Sequence, residues 1–345
     1  MTELEVIKKL ATQILNSDGM EIVDPIVLEE ISFVPIIKHE IPKEDRDYLT
    51  LSEALEVGVC EIIDKGTEVS HILFKNNGEF PILIEEGDIF LGQGTQDRIS
   101  VGTVMVEVKA VEEISVKCVH APHYLSPNAN FSYGGKASRG MLYEMRSLKF
   151  NSAIKGYGAS GINQSKIWKK VNEEMSSEKS VEDQTKYTSG ISSRRKKVMK
   201  RSKQLNFPRN TIGVVVVDSL GKIKGVEIHR SPNNFNVRKN TILESVETNV
   251  NWEATGKGPF SNAKEKAKKL FQKISKLKKG KDTLKQTELE GLIINSEGLQ
   301  GEAFTSAFYS TMCPSCYKSK PRTQECPSCG FLEEAPDDFT YMSLF

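Results

Sequence analysis

The sequence predicts an α+β fold: an antiparallel β-rich half, a helical middle, a second hairpin–helix–strand half and a small C-terminal zinc ribbon. Three observations predict it. Apolar residues alternate with a period of two through much of residues 59–120, as in half-buried strands, and take helical spacing at 2–16, 164–174 and 261–278. The valine-rich Thr211–Val217 is followed by the turn Asp218-Ser219-Leu220-Gly221 and a second strand pattern, Lys222–His229. Two Cys-Pro-Ser-Cys turns lie near the end of the chain. The organisation expected is an N-terminal helical arm (1–30), an α+β main domain (31–312) and a zinc ribbon with an acidic tail (313–345). Within the main domain, 31–120 is β-rich, 121–205 helical and loop-rich, and 206–312 hairpin–helix–strand.

Leu4, Ile7, Leu10 and Ile14 set one apolar stripe on a helix over 2–16, which ends at Asn16-Ser17-Asp18-Gly19 and is expected to pack on the main body or on a second copy. Phe33–His39 reads as a strand. Thr50-Leu51-Ser52-Glu53 is a capping box, in which the threonine oxygen takes one orphan amide and Glu53 reaches back for another, so a short helix runs from there to Gly58. Val59–Ile63, Val69–Lys75, Phe80–Ile84, Arg98–Val108 and Glu113–His120 read as strands. Asp64-Lys65-Gly66 and Asn76-Asn77-Gly78 read as turns, because Asn and Gly tolerate positive φ. Residues 121–161 read as loop-rich, Gln164–Glu174 as a helix carrying Ile167, Trp168 and Val171, and 176–183 as a polar link. After the hairpin come helices near 237–249 and 261–278 and strands near 286–294 and 302–310. Ala267, Leu270, Ile274 and Leu277 mark the buried stripe of the second of these helices; nine lysines between 264 and 281 mark its solvent side.

The bulk composition bounds the answer. The 345 residues suffice for one large domain or two ordinary ones with an appendage. Lys+Arg 47 against Asp+Glu 46 gives a net charge of +1, which selects no partner class by itself, although the charges are segregated along the chain. No run approaches the length of a membrane span, and the mixed-charge N-terminus is unlike a signal peptide, so no membrane partner and a cytoplasmic location are expected. Six cysteines, two single and two in Cys-x-x-Cys pairs, point to metal use in a reducing compartment rather than to disulfides.

Cys313, Cys316, Cys326 and Cys329 form two matched knuckles nine residues apart. Each knuckle sets two thiolates a zinc radius apart, and two facing knuckles make a tetrahedral site. Four sulfurs leave no open position, so the zinc is read as structural; a redox pair or an iron site are the alternatives. So small a ribbon has almost no core, so binding the metal is expected to fold it and to leave a module for a protein partner.

The polar, glycine-dense tip Glu85–Arg98 sits between two apolar runs, as mounted binding groups often do. Backbone amides of Gly92 and Gly94 would face an anion. Arg98 would add a fork of donors, Glu86 or Asp88 would hold a hydroxyl, and Gln96 and Asp97 complete the candidate set. The bland alternative is a wide hairpin whose polar groups satisfy its own backbone. Cys118 shares a strand face with Ile114, Val116 and His120; it reads as buried filler, against a nucleophile or, with His120 and His123, a metal ligand. Gly156-Tyr157-Gly158-Ala159-Ser160-Gly161 matches the dinucleotide fingerprint in letters, but lacks the strand before it and the acidic residue after it. The basic segments 194–203 and 264–281 read as solvated helix faces or as nucleic-acid contacts with little aromatic interleaving.

Several of these stretches together resemble the ARG and Rhodanese-Phosphatase-superfamily-associated Protein domain family. The points of contact are Leu49–Leu55, Glu86-Gly87-Asp88, Gln96-Asp97-Arg98, Cys118-Val119, Gln164 with Trp168, and Ile212–Ile228 with the following helix; the resemblance covers roughly residues 31–310. The chain departs from the pattern twice. Gln96-Asp97-Arg98 stands where the family tends to Gln-Asn-Arg. Cys118-Val119-His120, then His123-Tyr124, stands where it tends to Cys-Val-Glu and a later Arg-Trp. The resemblance implies an association with ADP-ribosylglycohydrolase- and phosphatase-like domains, and through it NAD-derived or nucleotide chemistry.

Two functions are therefore expected to compete. One is a non-catalytic module for a nucleotide-like or nucleic-acid ligand, with the ribbon as an interaction element. The other is an enzyme acting on NAD-derived, ADP-ribose-like or phosphorylated small molecules at the Glu86–Arg98 tip.

Overall fold

A computed structural model of the chain describes residues 2–40, 48–64, 69–120, 126, 129–155, 157, 161–177, 186–247, 256–280, 282–285, 292–296, 299–305, 310–312, 319–321 and 339–344. The four ribbon cysteines, His123 and most of the 156–161 glycine loop fall outside them.

The chain opens with α1 (Glu3–Asn16), β1 (Met20–Ile22), β2 (Ile26–Leu28) and β3 (Ile31–Lys38). Thr2 and Glu5 cap α1 reciprocally, and Ser17, in the left-handed region at φ 56°, ends it. Next come β4 (Leu49–Thr50), α2 (Leu51–Glu56), β5 (Cys60–Ile63), β6 (His71–Asn76), β7 (Ile82–Ile84), β8 (Asp88–Gly92), β9 (Arg98–Ser100), β10 (Val104–Val106), β11 (Val111–Cys118) and β12 (Phe131–Lys136). The Thr50–Glu53 capping box forms as its letters predict, with Thr50 N–H donating to Glu53 Oε2 at 3.0 Å. The middle holds α3 (Arg139–Ile154), α4 (Gln164–Ser177) and α5 (Tyr187–Ser202), then the hairpin β13 (Thr211–Val217) and β14 (Ile223–His229). The rest is α6 (Pro232–Val246), α7 (Ala263–Ile274), β15 (Thr283–Lys285), β16 (Leu292–Ser296), β17 (Leu299–Thr305), β18 (Ser310–Met312), β19 (Ser319–Pro321) and β20 (Phe339–Leu344).

The α+β class holds, and its strands pair antiparallel except for β4 with β7. Among the described residues the larger sheet runs β1-β3-β13-β14-β20-β17-β16-β15, with β2 beside β3. β3 pairs with β13, so the first strands of the chain belong to the sheet of the second half. That sheet is covered on both faces, which is why β13 reads as continuous valine rather than as alternation. Val215 and Val217 pack with α1 and α7; Val214 and Val216 pack with α5 and α6. The smaller sheets, β12-β8-β9-β11-β6-β5 and β10-β7-β4, enclose a separate core around Phe74, Phe90, Ile114 and Val116. Helices α3 to α5 close the remaining side through Met141, Met145, Ile167 and Val171.

Four expectations are corrected. Arg98–Val108 is not one strand: Ser100 Oγ donates to the Gly102 carbonyl and Thr103 N–H to Glu302, which turns the chain out of one sheet and into another. The stretch 121–161 is not mainly loop, since it holds β12 and the sixteen-residue α3, whose N-cap Ser138 takes the Met141 amide. Helix α6 starts at Pro232, five residues before the predicted point, because Ser231 caps it and proline suits the first helical position. The tail contributes β20, inserted between β14 and β17.

Candidate functional site

The turn that joins β7 to β8 decides where the tip's carboxylates go. Gly87 sits at φ +81°, and a Cβ there would run into Leu142. Glu85 N–H donates to Asp88 Oδ2 at 2.9 Å, and Gly87 is held between Ser100 and Ala137 by backbone bonds. The turn sends Glu85 and Glu86 to different cations. Glu85 meets Lys136 Nζ at 2.9 Å and the Arg238 guanidinium, and both cations also reach Asp88 Oδ1, at 3.5 and 3.1 Å. Glu86 meets Arg146 Nε and Lys149 Nζ at 2.5 and 2.7 Å, and Lys149 continues to Glu302 Oε2 at 2.6 Å. Arg139 and Arg146 share Ser343 Oγ, which donates to Glu227.

The result is a buried joint of paired charge between the two sheet systems, built from β7–β8, β12, α3, β14, α6, β17 and β20. Its carboxylates and cations are all buried. Burial pushes the Glu86 carboxyl up, but Arg146 and Lys149 outweigh it and leave the group low. Burial does the same to Glu85, and Arg238 and Lys136 bring it down to about 2. Lys149 is opposite in sign: burial lowers it, and Glu302 and Glu86 more than restore its charge. His229 is the exception. Burial holds it down to about 4, and neither ring nitrogen has a hydrogen-bond partner among the described residues. The space beside it, lined by Glu85, Lys136, Glu227 and Arg238, amounts to about 10 Å³. That is room for roughly one water, and for no substrate.

The second half of the tip closes on itself. Asp97 occupies the place foreseen for an external anion: Gly92 N–H donates to its Oδ1 at 3.0 Å, and Thr188 Oγ1 donates to its Oδ2 at 2.7 Å. An Asn could serve the same two partners, so the departure from Gln-Asn-Arg costs no contact. Arg98, fully buried, donates to the Gln96 carbonyl and Oε1 at 2.9 and 3.1 Å and faces Asp64 at 3.5 Å. Gly94 is exposed at φ +80°. Cys118 is buried with a raised thiol pKa, and Gln164 brackets its backbone, accepting from Cys118 N–H at 3.0 Å and donating to its carbonyl at 2.8 Å. Two of the resemblance residues are thus seen fastening α4 to β11. No group of three or more His, Cys, Asp or Glu among the described residues is placed to hold a metal ion.

Of the candidate residues, Glu86 and Asp88 come together with cations the sequence reading missed: Lys136, Arg139, Arg146, Lys149 and Arg238. Asp97 and Arg98 join a separate cluster. A signal for the missed cations was present. Arg139, Arg146 and Lys149 fall at i, i+7 and i+10, among the apolar positions Met141, Leu142, Met145 and Leu148 rather than opposite them. Cations on the apolar side of a helix imply buried carboxylates elsewhere.

Outside the joint, α7 presents unpaired charge. It packs Ala267, Leu270, Phe271 and Ile274 inward. Lys266, Lys269 and Lys273 lie on its other side, followed by Lys276, Lys278 and Lys279; all six are exposed and enter no ion pair among the described residues. No described helix is long and apolar enough to cross a membrane.

The family model for the ARG and Rhodanese-Phosphatase-superfamily-associated Protein domain matches residues 19–306. No curated protein and no solved structure matches the chain.

Proposed function

The chain belongs to the ARG and Rhodanese-Phosphatase-superfamily-associated Protein domain family, and from that premise we propose that it is a non-catalytic module binding nucleic acid through the lysine face of α7. The observation that carries this reading is the sorting of charge. The fold buries more carboxylates than cations among the described residues and leaves outside a strip of lysines on α7, a helix whose one carboxylate, Glu265, is held by Lys268. The strip carries no exposed aromatic ring, since Phe271 points inward, so it suits phosphates rather than bases. Binding through phosphates alone is sequence-tolerant and falls steeply with salt. Fluorescence anisotropy with labelled single-stranded RNA across a salt series tests it: a linear fall of log K with log salt supports the reading, and no binding at low ionic strength ends it.

Cys313, Cys316, Cys326 and Cys329 complete the proposal as a structural zinc site and a contact for a protein partner. Its support is the all-thiolate donor set, together with the antiparallel pair β18–β19, which flanks the first Cys-x-x-Cys on both sides. Metal analysis of the purified chain should return one zinc per chain, lost in Cys313→Ser.

A second reading, an enzyme for ADP-ribose-like or phosphorylated small molecules at the Glu86–Arg98 tip, draws on the convergence of ionisable groups from distant segments. The mutual neutralisation of those groups, and the lack of room beside them, count against it. Turnover of ADP-ribose or NAD that disappears in Asp88→Asn and Arg98→Ala, with both variants still folded, would favour it.

A further inference from the structure

The N-terminus of α6 opens on a cleft of about 380 Å³, within the ~300–1,000 Å³ range of small-ligand sites. It lies apart from both the joint and the α7 face. Its apolar part is Phe207 against Phe235, ring centroids 5.2 Å apart and nearly perpendicular. This edge-to-face pair is held further by Phe33 beneath Phe207, so the rings are fixed before any ligand arrives. Its charged part is Arg209, exposed at the rim, and Lys239, whose ammonium donates to Asn236 Oδ1 at 2.9 Å; among the described residues neither enters an ion pair. Between them stands the start of a fifteen-residue helix, whose dipole favours an anion; Pro232 has no amide hydrogen and Ser231 takes those of Asn234 and Phe235, which leaves the Asn233 amide for it.

A helix end and two cations alone would not make a site. Thr211 supplies the independent observation. It lines the cleft, is 1% exposed, and its Oγ1 has no hydrogen-bond partner among the described residues. A buried hydroxyl left unsatisfied costs about 1–3 kcal/mol, a cost that a ligand's polar atom would remove. The asparagines of the lining add amides that both donate and accept, the chemistry that reads the edge of a heteroaromatic ring.

We propose that this cleft binds a nucleoside monophosphate, its base against Phe207 and Phe235, its phosphate at Arg209, Lys239 and the α6 N-terminus, and one polar group on Thr211 Oγ1. The size admits one nucleotide rather than a dinucleotide. The site goes beyond the nucleic-acid reading and does not depend on it.

Isothermal titration of the full chain with AMP, with adenosine and with ribose 5-phosphate tests the proposal. AMP should bind, and each fragment should bind at least about tenfold more weakly, because each lacks one of the two anchors. Arg209→Ala, at an exposed position that cannot unfold the chain, should weaken AMP about tenfold; Lys239→Ala and Phe207→Leu should each weaken it several-fold. The triple variant Lys266→Glu, Lys269→Glu, Lys273→Glu should leave AMP affinity unchanged, which separates this site from the lysine face. A 5′-phosphorylated RNA oligonucleotide that competes with AMP in that triple variant would make the source a strand end; AMP binding without such competition makes it the free nucleotide. No AMP binding at low ionic strength, equal binding of adenosine and AMP, or wild-type affinity in Arg209→Ala would each overturn the proposal.

Discussion

Two consecutive cations on α6 meet opposite fates. Arg238 points into the joint, 2% exposed, and is locked between Glu85 and Asp88. Lys239, one residue on, turns toward the open cleft and, among the described residues, holds an asparagine oxygen and no carboxylate. Nothing in the letters Arg-Lys separates them. The difference shows that pairing, not charge, divides structural from functional residues: a cation already matched by carboxylates holds the fold, and one facing unsatisfied groups is available to a ligand. The same contrast separates Arg146 and Lys149 on α3 from Lys266 and Lys273 on α7.

The contrast is broken most severely at Glu86, which satisfies two buried cations at once. Glu86→Leu removes the carboxylate that Arg146 and Lys149 share, leaving Arg146 with Ser343 and Lys149 with Glu302, and removing one partner of a buried pair typically costs about 3–5 kcal/mol. Chemical denaturation should show a loss of that order; a loss below about 1 kcal/mol would mean that the joint is not what holds the two sheet systems together.

Acid probes the joint next. His229 is held down to about 4 from its ordinary 6.5, and Glu85 down to about 2 from 4.5. In both cases the unfolded chain takes up protons before the folded one, so stability is complete above pH 6.5. It falls as the pH drops from 6.5 toward 4 through His229, and again from 4.5 toward 2 through Glu85. Each step is worth on the order of 3 kcal/mol. A melting temperature that falls below pH 6.5 in the wild type, and holds level down to about 5 in His229→Phe, would agree; identical profiles would not.

Smaller again is Gly87→Ala, which places a side chain at φ +81° and against Leu142. A loss of about 1–3 kcal/mol is expected, read by thermal melting, with α7 binding intact in the fraction that folds. At the bottom of the scale, reversing Lys266, Lys269 and Lys273 should change stability by no more than about 0.5 kcal/mol, since none of them enters an ion pair among the described residues.

Much of the fold is legible in the letters, and the reason is local. The capping box at Thr50–Glu53, the stripe on α1, the α7 stripe and the β13–β14 hairpin each express a periodicity or a cap that needs no distant partner. What is not legible depends on partners far along the chain. The stretch of α3 reads as loop because Arg139, Arg146 and Lys149 spoil its apolar stripe, and they are tolerable only once Glu86, Glu227 and Glu302 arrive from elsewhere. The tip is found at the right place, but its polarity reads as exposure; the carboxylates are paired by cations up to 153 positions away. The cleft leaves no trace in sequence, since Phe207, Thr211 and Phe235 each look like ordinary core.

The most direct test of the account is RNA binding by the wild type and by the lysine triple variant, followed by anisotropy across a salt series. The account predicts a linear dependence of log K on log salt in the wild type. In the variant the slope should be shallower by about 0.7 for each lost phosphate contact, with an unchanged denaturation midpoint. Wild-type affinity and slope in the variant, or no binding to the wild type at low salt, would contradict the claim that the charge left outside the joint is what this chain uses.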